Sequence, residues 1–249
     1  MDFGIAHRTI VITGASRGIG AALARSFAEA GAPLGLLARD ETALKELAAR
    51  LPTQVVPVAC DVRDAGAVAD GLDEVAQRFG GVDSVVVNAG ISPAAHRAQN
   101  LSLALWREVL DVNLTGAFTT ASAAHRHLAA SGRGRLVLTS SVMARLPRRG
   151  LSAYAASKGA IEGLTRALAI DWACDGICVN AVAPGFFNTG LGAAFVQSDR
   201  LASQVLSRTP LGRFGDAAEL TDATAFLAGD GSGYMTGHVI AIDGGYGLG

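Results

Sequence analysis

Short apolar runs alternate with longer segments of helical pattern along the chain. The short runs are rich in Val, Ile and Leu, which is typical of strands. They cover Thr9–Thr13, Pro33–Ala38, Gln54–Ala59, Ser84–Val87, Arg135–Thr139, Cys178–Val182 and His238–Ile242. The helical segments cover Gly18–Ala30, Glu41–Arg50, Ala65–Phe79, Leu103–Ala129, Ala153–Ala173 and Ala217–Ala228. Because strands and helices take turns, the pattern predicts a parallel sheet whose connections are helical.

Most of the predicted strands lack alternation of polar and apolar residues. Strands of this kind are buried on both sides, with helices above and below the sheet. The 249 residues contain no internal repeat and no low-complexity linker, and a single α/β domain commonly reaches this length. We therefore predict one α/β domain, residues 1–249, with a Rossmann fold: a doubly wound seven-stranded parallel sheet with helices on both faces.

One segment, Gly185–Thr209, breaks the rhythm because it is long and irregular and contains Gly190 and Gly192. Long irregular segments in compact domains are usually functional, often as covers of a site. The segment predicts a substrate lid with short helices, and a variable surface loop is the alternative.

Composition narrows the possible partners. The net charge of −1 gives no electrostatic reason to expect nucleic acid or an anionic membrane as a partner. The three cysteines, Cys60, Cys174 and Cys178, lack metal-site spacing, so we expect no metal and free thiols in a reducing compartment. No apolar run approaches the roughly 20 residues of a membrane span, and Met1–Thr9 lacks a signal-peptide pattern. We therefore expect a cytoplasmic protein.

A glycine-rich turn joins the first predicted strand to the first predicted helix. Glycines in this setting allow a sharp turn and a close approach of the backbone to a pyrophosphate, which the helix N-terminus then binds through its free N–H groups. The turn spans Gly14 to Gly20 with the spacing Gly-x-x-x-Gly-x-Gly. A strand, a turn and a helix in this order predict a dinucleotide site.

The sequence Thr-Gly-Ala-Ser-Arg-Gly-Ile-Gly at this turn resembles the cofactor loop of the classical short-chain dehydrogenases/reductases. The resemblance extends along nearly the whole chain, and the segment Arg208–Gly215 resembles gluconate 5-dehydrogenase-like and acyl-carrier-protein ketoreductase-like members. It implies that the loop binds the cofactor through Gly14, Ser16, Arg17, Gly18, Ile19 and Gly20.

The end of the second strand bears on the choice between NADP and NAD. In the resembling family an acidic residue that binds the adenosine ribose stands where this chain has Ala38. Arg39 follows, and Arg17 lies in the glycine loop, so two guanidinium groups suit a 2′-phosphate. Asp40 is one residue too far along and reads as a helix N-cap. We therefore expect NADP(H), with NAD and two ordinary surface arginines as the alternative.

The resemblance also implies further cofactor contacts after later strands. Asp61 and Val62 correspond to the adenine-binding pair, and Asn88, Ala89 and Gly90 correspond to a motif beneath the cofactor. Pro184, Gly185 and Thr189 correspond to the turn and the threonine at the nicotinamide, and Tyr154 and Lys158 are also expected to contact the cofactor.

Tyr154 and Lys158 lie four residues apart on a predicted helix and therefore share a face. A free tyrosine has a pKa of about 10, and a nearby ammonium group lowers it toward a useful range. Ser141 precedes Tyr154 at the spacing of the family's catalytic serine, with Ser140 as the competing choice. Asn113 resembles the family asparagine that holds a water behind the lysine.

The function implied is an NADP(H)-dependent oxidoreductase that interconverts a ketone and a secondary alcohol, with carbonyl reduction as the physiological direction. The alternative is a non-catalytic NADPH-binding regulatory or scaffold protein. The resemblance also implies a homotetramer, with a homodimer as the alternative.

The substrate is less constrained by the sequence. We expect the lid and two segments, Ile91–Arg97 and Val142–Leu151, to line its pocket. The second segment carries three arginines, which suit an acidic substrate or form an ordinary solvated turn. Three phenylalanines suit an apolar pocket or plain packing. The residues in question are Arg145, Arg148, Arg149, Phe186, Phe187 and Phe195.

Overall fold

The computed structural model describes residues 3–190 and 196–248. Its described part contains one sheet of seven parallel strands in the order β3-β2-β1-β4-β5-β6-β7. The strands are β1 (Ile10–Thr13), β2 (Leu34–Ala38), β3 (Val55–Ala59), β4 (Ser84–Val87), β5 (Arg135–Thr139), β6 (Cys178–Pro184) and β7 (Val239–Ile242). The predicted fold class is confirmed, and each strand agrees with its predicted bounds to within two residues.

The strand order reverses between β1 and β4, because the chain first builds outward through β2 and β3 and then returns. At such a switch point the carboxyl ends of neighbouring strands leave a crevice in which α/β proteins bind ligands. The glycine loop follows β1 at this edge of the sheet.

Helices cover both faces of the sheet. They are α1 (Gly18–Glu29), α2 (Glu41–Ala48), α3 (Ala65–Phe79), α4 (Leu103–Leu110), α5 (Gly116–Ala130), α6 (Ser152–Trp172), α7 (Asp199–Leu206) and α8 (Ala217–Ala228). Neighbouring β1 residues belong to different cores: Ile10 and Ile12 pack with α1, α2 and α8, whereas Val11 packs with α3, α5 and α6. The sheet is thus buried on both sides, as its uninterrupted apolar runs predict. No helix in the described ranges is long and apolar enough to cross a membrane.

The prediction of one regular helix over Leu103–Ala129 is wrong at its centre. A π-helical segment, Asp111–Thr115, separates α4 from α5 without breaking the chain's helical course. Segments of this type insert one extra residue per turn and occur frequently at functional sites. Here the segment contains Asn113, whose side chain is buried in the interior.

The predicted lid is described only in part. Its helix α7 lies within the expected range, and Phe195 falls outside the described residues. The role of this segment as a lid therefore stays a prediction.

A network of hydrogen-bonded polar side chains lies at the edge of the sheet where the strands begin. The Arg8 side chain is fully buried, and its guanidinium donates to Asp230, to the Ser84 hydroxyl and to the carbonyl of Arg133. Arg135 is also buried, and its Nε donates to the carbonyl of Gly229 just beyond α8. Burial lowers the pKa of Arg135. These groups satisfy backbone carbonyls that the end of α8 and the neighbouring turn leave unpaired.

Candidate active site

A cleft of about 680 Å³ runs along the carboxyl edge of the sheet at the switch point. This volume lies within the range of small-molecule and cofactor sites. All predicted cofactor residues except Gly20 line it: Gly14, Ser16, Arg17, Gly18, Ile19, Arg39, Asp61, Val62, Asn88, Ala89, Gly90, Tyr154, Lys158, Pro184, Gly185 and Thr189. The fold therefore brings together residues that are spread over the sequence.

The glycine loop needs its glycines for two different reasons. Gly14 and Gly18 adopt φ of 66° and 58°, which other residues rarely do. Gly20 is buried behind the loop, and a Cβ there would lie 2.3 Å from the Gly14 carbonyl oxygen. Gly20 thus allows α1 to pack against the loop, while Gly14 and Gly18 shape the surface that faces the cleft.

Asn88 fastens the turn after β4 to the loop after β1. Its side-chain amide donates to the Thr13 carbonyl at 3.1 Å, and the backbone N–H groups of Asn88 and Ala89 both donate to the Thr13 hydroxyl at 3.1 Å. These bonds fix the floor of the cleft between the two central strands.

The end of the cleft beside β2 is basic. Arg17 and Arg39 are exposed and line the cleft, and no carboxylate stands at position 38. Asp40 also borders the cleft, but its Oδ1 accepts from the N–H of Ala43 at 3.0 Å and caps α2, as predicted.

Arg63 is a residue of this region that the sequence did not suggest. Its guanidinium donates to both carboxylate oxygens of Asp61, with a shortest contact of 2.6 Å. This hydrogen bonding is the main cause that lowers the pKa of Asp61 to about 2. Asp61 is therefore a carboxylate at neutral pH, held by Arg63 at the rim of the cleft.

Tyr154, Ser141 and Lys158 meet at the other end of the cleft. Ser141 follows β5 and accepts from the N–H of Met143 at 3.2 Å, while Tyr154 and Lys158 lie in the first two turns of α6. The Lys158 ammonium lies 5.8 Å from the centre of the Tyr154 ring and donates to the Thr139 carbonyl at 2.7 Å. The neighbouring Ser140 instead contacts the Lys158 carbonyl at 3.2 Å, away from the phenol.

Burial dominates the acid–base balance of this group. It raises the pKa of the Tyr154 phenol, and the hydrogen bond with Ser141 opposes that shift. Burial also lowers the pKa of Lys158 to about 8. The pKa of Tyr154 is therefore raised in this structure and not lowered as expected, because burial is the largest cause.

The Asn113 amide supports the site from behind. Its Oδ1 accepts from the N–H of Ile91 at 2.7 Å, and its Nδ2 donates to the Ile91 carbonyl at 2.9 Å and the Ser157 hydroxyl at 3.1 Å. The side chain thus ties the loop after β4 to α6, next to Lys158. A water held behind the lysine stays a prediction.

Other cleft residues were missed because they are apolar or carry no motif. Cys60, Val112 and Thr139 line the cleft, and burial together with nearby carboxylates raises the pKa of Cys60 to about 11. Phe187, which the sequence analysis named for an apolar pocket or plain packing, both lines the cleft and is buried. Cys60 and Thr139 lie at strand ends, which is the one signal that points to them, whereas Val112 lies in the π-helical segment beside Asn113.

The loops expected around the substrate are tied to each other. The N–H of His96 donates to the Gly150 carbonyl at 3.0 Å. Arg145 pairs with Glu162 at 3.3 Å, and Arg148 donates to Gln204 of α7 at 2.9 Å. Arg149 is exposed. The three arginines therefore differ, since Arg145 belongs to a local ion pair whereas Arg148 contacts α7.

Comparison with known proteins agrees with this architecture. Residues 14–247 match the family model described as enoyl-(acyl carrier protein) reductase. The cis-4-hydroxycyclohexanecarboxylate dehydrogenase of Sinomonas cyclohexanicum is 37% identical over 248 residues, which cover 99% of both chains.

Two solved structures are also similar over almost the whole chain. A gluconate 5-dehydrogenase from Burkholderia cenocepacia J2315 in complex with NADP and tartrate has a TM-score of 0.93 at 36% identity, covering 100% of this chain and 98% of its own. A 3-oxoacyl-(acyl-carrier protein) reductase from Brucella melitensis with bound NAD has a TM-score of 0.88 at 34% identity, covering 98% and 93%. The chain belongs to the classical short-chain dehydrogenase/reductase family, whose members are oxidoreductases that use nicotinamide cofactors.

Proposed function

We propose that this protein is an NADP(H)-dependent reductase that converts a ketone to a secondary alcohol, and in reverse oxidises the alcohol. The observation that carries the proposal is the meeting of Tyr154, Ser141 and Lys158 at one end of a cleft whose other residues fit a dinucleotide. A dinucleotide phosphate suits this cleft because the backbone of Gly14 and Gly18 forms its open wall at the N-terminus of α1.

The roles of the residues follow from their chemistry. When bound, the nicotinamide supplies the hydride that adds to the carbonyl carbon. Tyr154 donates its phenolic proton to the carbonyl oxygen as negative charge develops there, and Ser141 hydrogen-bonds the same oxygen. The Lys158 ammonium would stabilise the resulting phenolate and would help to hold the nicotinamide ribose, while Asn113 keeps the loop after β4 in place.

The direct experiment is a substrate screen that follows the absorbance of reduced nicotinamide with NADPH and NADH in parallel. The panel contains keto acids, keto-sugar acids, β-ketoacyl thioesters and apolar diketones. We expect turnover with NADPH on one of these classes. Tight NADPH binding without turnover on any class would instead favour the non-catalytic binding protein.

We propose NADP rather than NAD because Arg17 and Arg39 border the adenosine end and position 38 carries no acid. One similar solved structure holds NADP and another holds NAD, so a variant decides between the two cofactors. Hydrogen bonds to charged groups contribute about 1.5–3 kcal/mol, so Arg39→Ala should raise the KM for NADPH by about 10- to 100-fold and leave that for NADH nearly unchanged. The exposed Arg50, which is not among the cleft residues, provides the control Arg50→Ala. Equal effects on both cofactors would contradict the assignment.

The pH dependence of cofactor use should report Lys158. Its pKa of about 8 lies below the usual 10.5, so the ammonium loses its charge as the pH rises through about 8. Burial shifts the pKa of Tyr154 upward, away from this pH range. We expect kcat/KM for NADPH in the reduction direction to fall above about pH 8, since this parameter reports the free enzyme. A profile that stays flat to pH 10 would remove the charged lysine from the mechanism.

We further propose that residues 185–209 cover the bound substrate and that the protein assembles as a homotetramer or homodimer. Apolar side chains that suit an interface are exposed on the outer helices, among them Phe118 of α5 and Ile170 of α6. Light scattering of the purified protein distinguishes these assemblies from a monomer.

The three free thiols suit a reducing compartment, and we propose the cytoplasm as the location.

A further inference from the structure

The end of the chain contributes a tyrosine to the substrate side of the site. Tyr246 begins the 3-10 turn Tyr246–Leu248 after β7, and its side chain is fully buried. It packs in one cluster with Val142 and Met143, the two residues that follow Ser141. Tyr154 and Phe186 pack against the same cluster. Tyr246 therefore lies in the same cluster as Tyr154 and the two residues after Ser141, which form the wall behind the cleft.

The turn that presents Tyr246 is firmly built. The Asp243 carboxylate accepts from the N–H groups of Gly245 at 2.9 Å and Gly247 at 2.8 Å, and the N–H of Tyr246 donates to the Asp243 carbonyl at 3.1 Å. A Cβ on Gly185 would lie only 2.6 Å from the Cα of Asp243, so this turn docks closely against the end of β6. The position of the ring is thus fixed by backbone contacts.

The hydroxyl of Tyr246 has no hydrogen-bond partner among the described residues, although it is shielded from solvent. A buried hydroxyl without a partner destabilises a protein, and phenylalanine would fill the same space without that cost. The presence of tyrosine instead of phenylalanine at position 246 is therefore explained if a bound ligand supplies the hydrogen-bond partner of the hydroxyl.

Two guanidinium groups flank this part of the site. The Arg208 guanidinium lies 5.0 Å from the centre of the Tyr246 ring, and that of Arg148 lies 5.9 Å from the Phe186 ring. The two rings contact each other edge to face at 5.1 Å. The two guanidinium groups thus place positive charge against the pair of rings that includes Tyr246, and positive charge near a hydroxyl donor suits a carboxylate.

We propose that Tyr246 determines substrate specificity: its hydroxyl hydrogen-bonds the carboxylate of a keto or hydroxy acid, and Arg148 and Arg208 supply positive charge beside it. This inference rests on the proposed function, because it places the acid group next to the carbonyl that Tyr154 and Ser141 bind. The chemical class is a small organic acid that carries a ketone or secondary alcohol away from its carboxylate.

The test compares an acid with its neutral counterpart, 4-oxocyclohexanecarboxylate and its methyl ester, together with a keto-sugar acid and its lactone. In Tyr246→Phe we expect the KM of the preferred acid to rise by about tenfold, as for a lost hydrogen bond to a charged group. We expect kcat, and the KM of the corresponding ester or lactone, to stay unchanged. The melting temperature should stay equal or rise, because an unpaired hydroxyl is removed. Tyr234→Phe, at a fully exposed tyrosine, is the matched control.

The outcomes separate this inference from the proposed function. If the wild type reduces ketones but prefers the neutral compounds, or if Tyr246→Phe changes acid and neutral KM values alike, the enzyme assignment stands and the role of Tyr246 is overturned. A lower melting temperature with unchanged KM values also overturns it, since the hydroxyl then has a structural partner.

If the wild type reduces none of the compounds, the proposed function fails and a binding measurement decides the inference. Tartrate, in the presence of NADP, should then raise the melting temperature of the wild type but not of Tyr246→Phe. Equal shifts, or no shift in either protein, would overturn the inference.

Discussion

Replacing Tyr154 with phenylalanine should lower kcat for ketone reduction by about 10²- to 10⁴-fold, the usual contribution of a general acid. The ring keeps its packing against the cluster of Val142 and Met143, so the site should stay folded. Only the proton donor is lost, and Ser141 cannot replace it because a serine hydroxyl is a much weaker acid. NADPH fluorescence titration should give a dissociation constant close to that of the wild type.

The control for this variant is Tyr234→Phe, which removes a hydroxyl from a fully exposed ring. It should keep full activity. Wild-type turnover in Tyr154→Phe would contradict the role of the phenol, and a parallel loss of NADPH binding would show that the substitution disturbs the cleft and not only the chemistry.

Arg8→Met should produce the largest loss of stability. Arg8 is fully buried and donates to Asp230, to the Ser84 hydroxyl and to the Arg133 carbonyl. Its removal loses these charge-assisted bonds, although the Ser84 hydroxyl still donates to the Ala228 carbonyl and the Arg133 carbonyl still accepts from Arg135. Hydrogen bonds to charged groups contribute about 1.5–3 kcal/mol. Because Asp230 is 59% exposed and can be solvated, no buried charge is left behind, and we expect a loss of about 2 kcal/mol in the free energy of unfolding.

Urea unfolding monitored by circular dichroism measures this difference. Arg25→Met, on the exposed side of α1, is the control and should change stability little. The NADPH site lies at the opposite edge of the sheet, so the folded Arg8→Met variant should bind NADPH normally. A stability equal to that of the control would show that the network at the amino edge contributes nothing.

The sequence predicts the sheet well because its strands are buried on both faces and give uninterrupted apolar runs. It also predicts the cleft, because in a parallel sheet the residues that follow β1, β4, β5 and β6 meet at one edge. The position of Asp40 at a helix start follows from local side-chain chemistry in the same way.

Other features depend on information that a single sequence does not display. One extra residue around Asn113 shifts the helical phase by about 100°, but Asp111–Thr115 contains no glycine or proline, so no local signal marks the π segment in the sequence. Arg63 looks like any surface arginine until its contact with Asp61 is seen. Tyr246 lies about 90 residues after Tyr154, and only the fold brings the two into one cluster.

The central claim is that this cleft moves a hydride from NADPH to a carbonyl carbon while Tyr154 supplies the proton. NADPH deuterated at the transferring position of the nicotinamide C4, incubated with the best ketone of the panel, tests it most directly by mass spectrometry of the alcohol. We predict one deuterium at the carbinol carbon with the wild type and almost no product with Tyr154→Phe. Alcohol without deuterium, or tight NADPH binding without consumption of any ketone, would contradict the account.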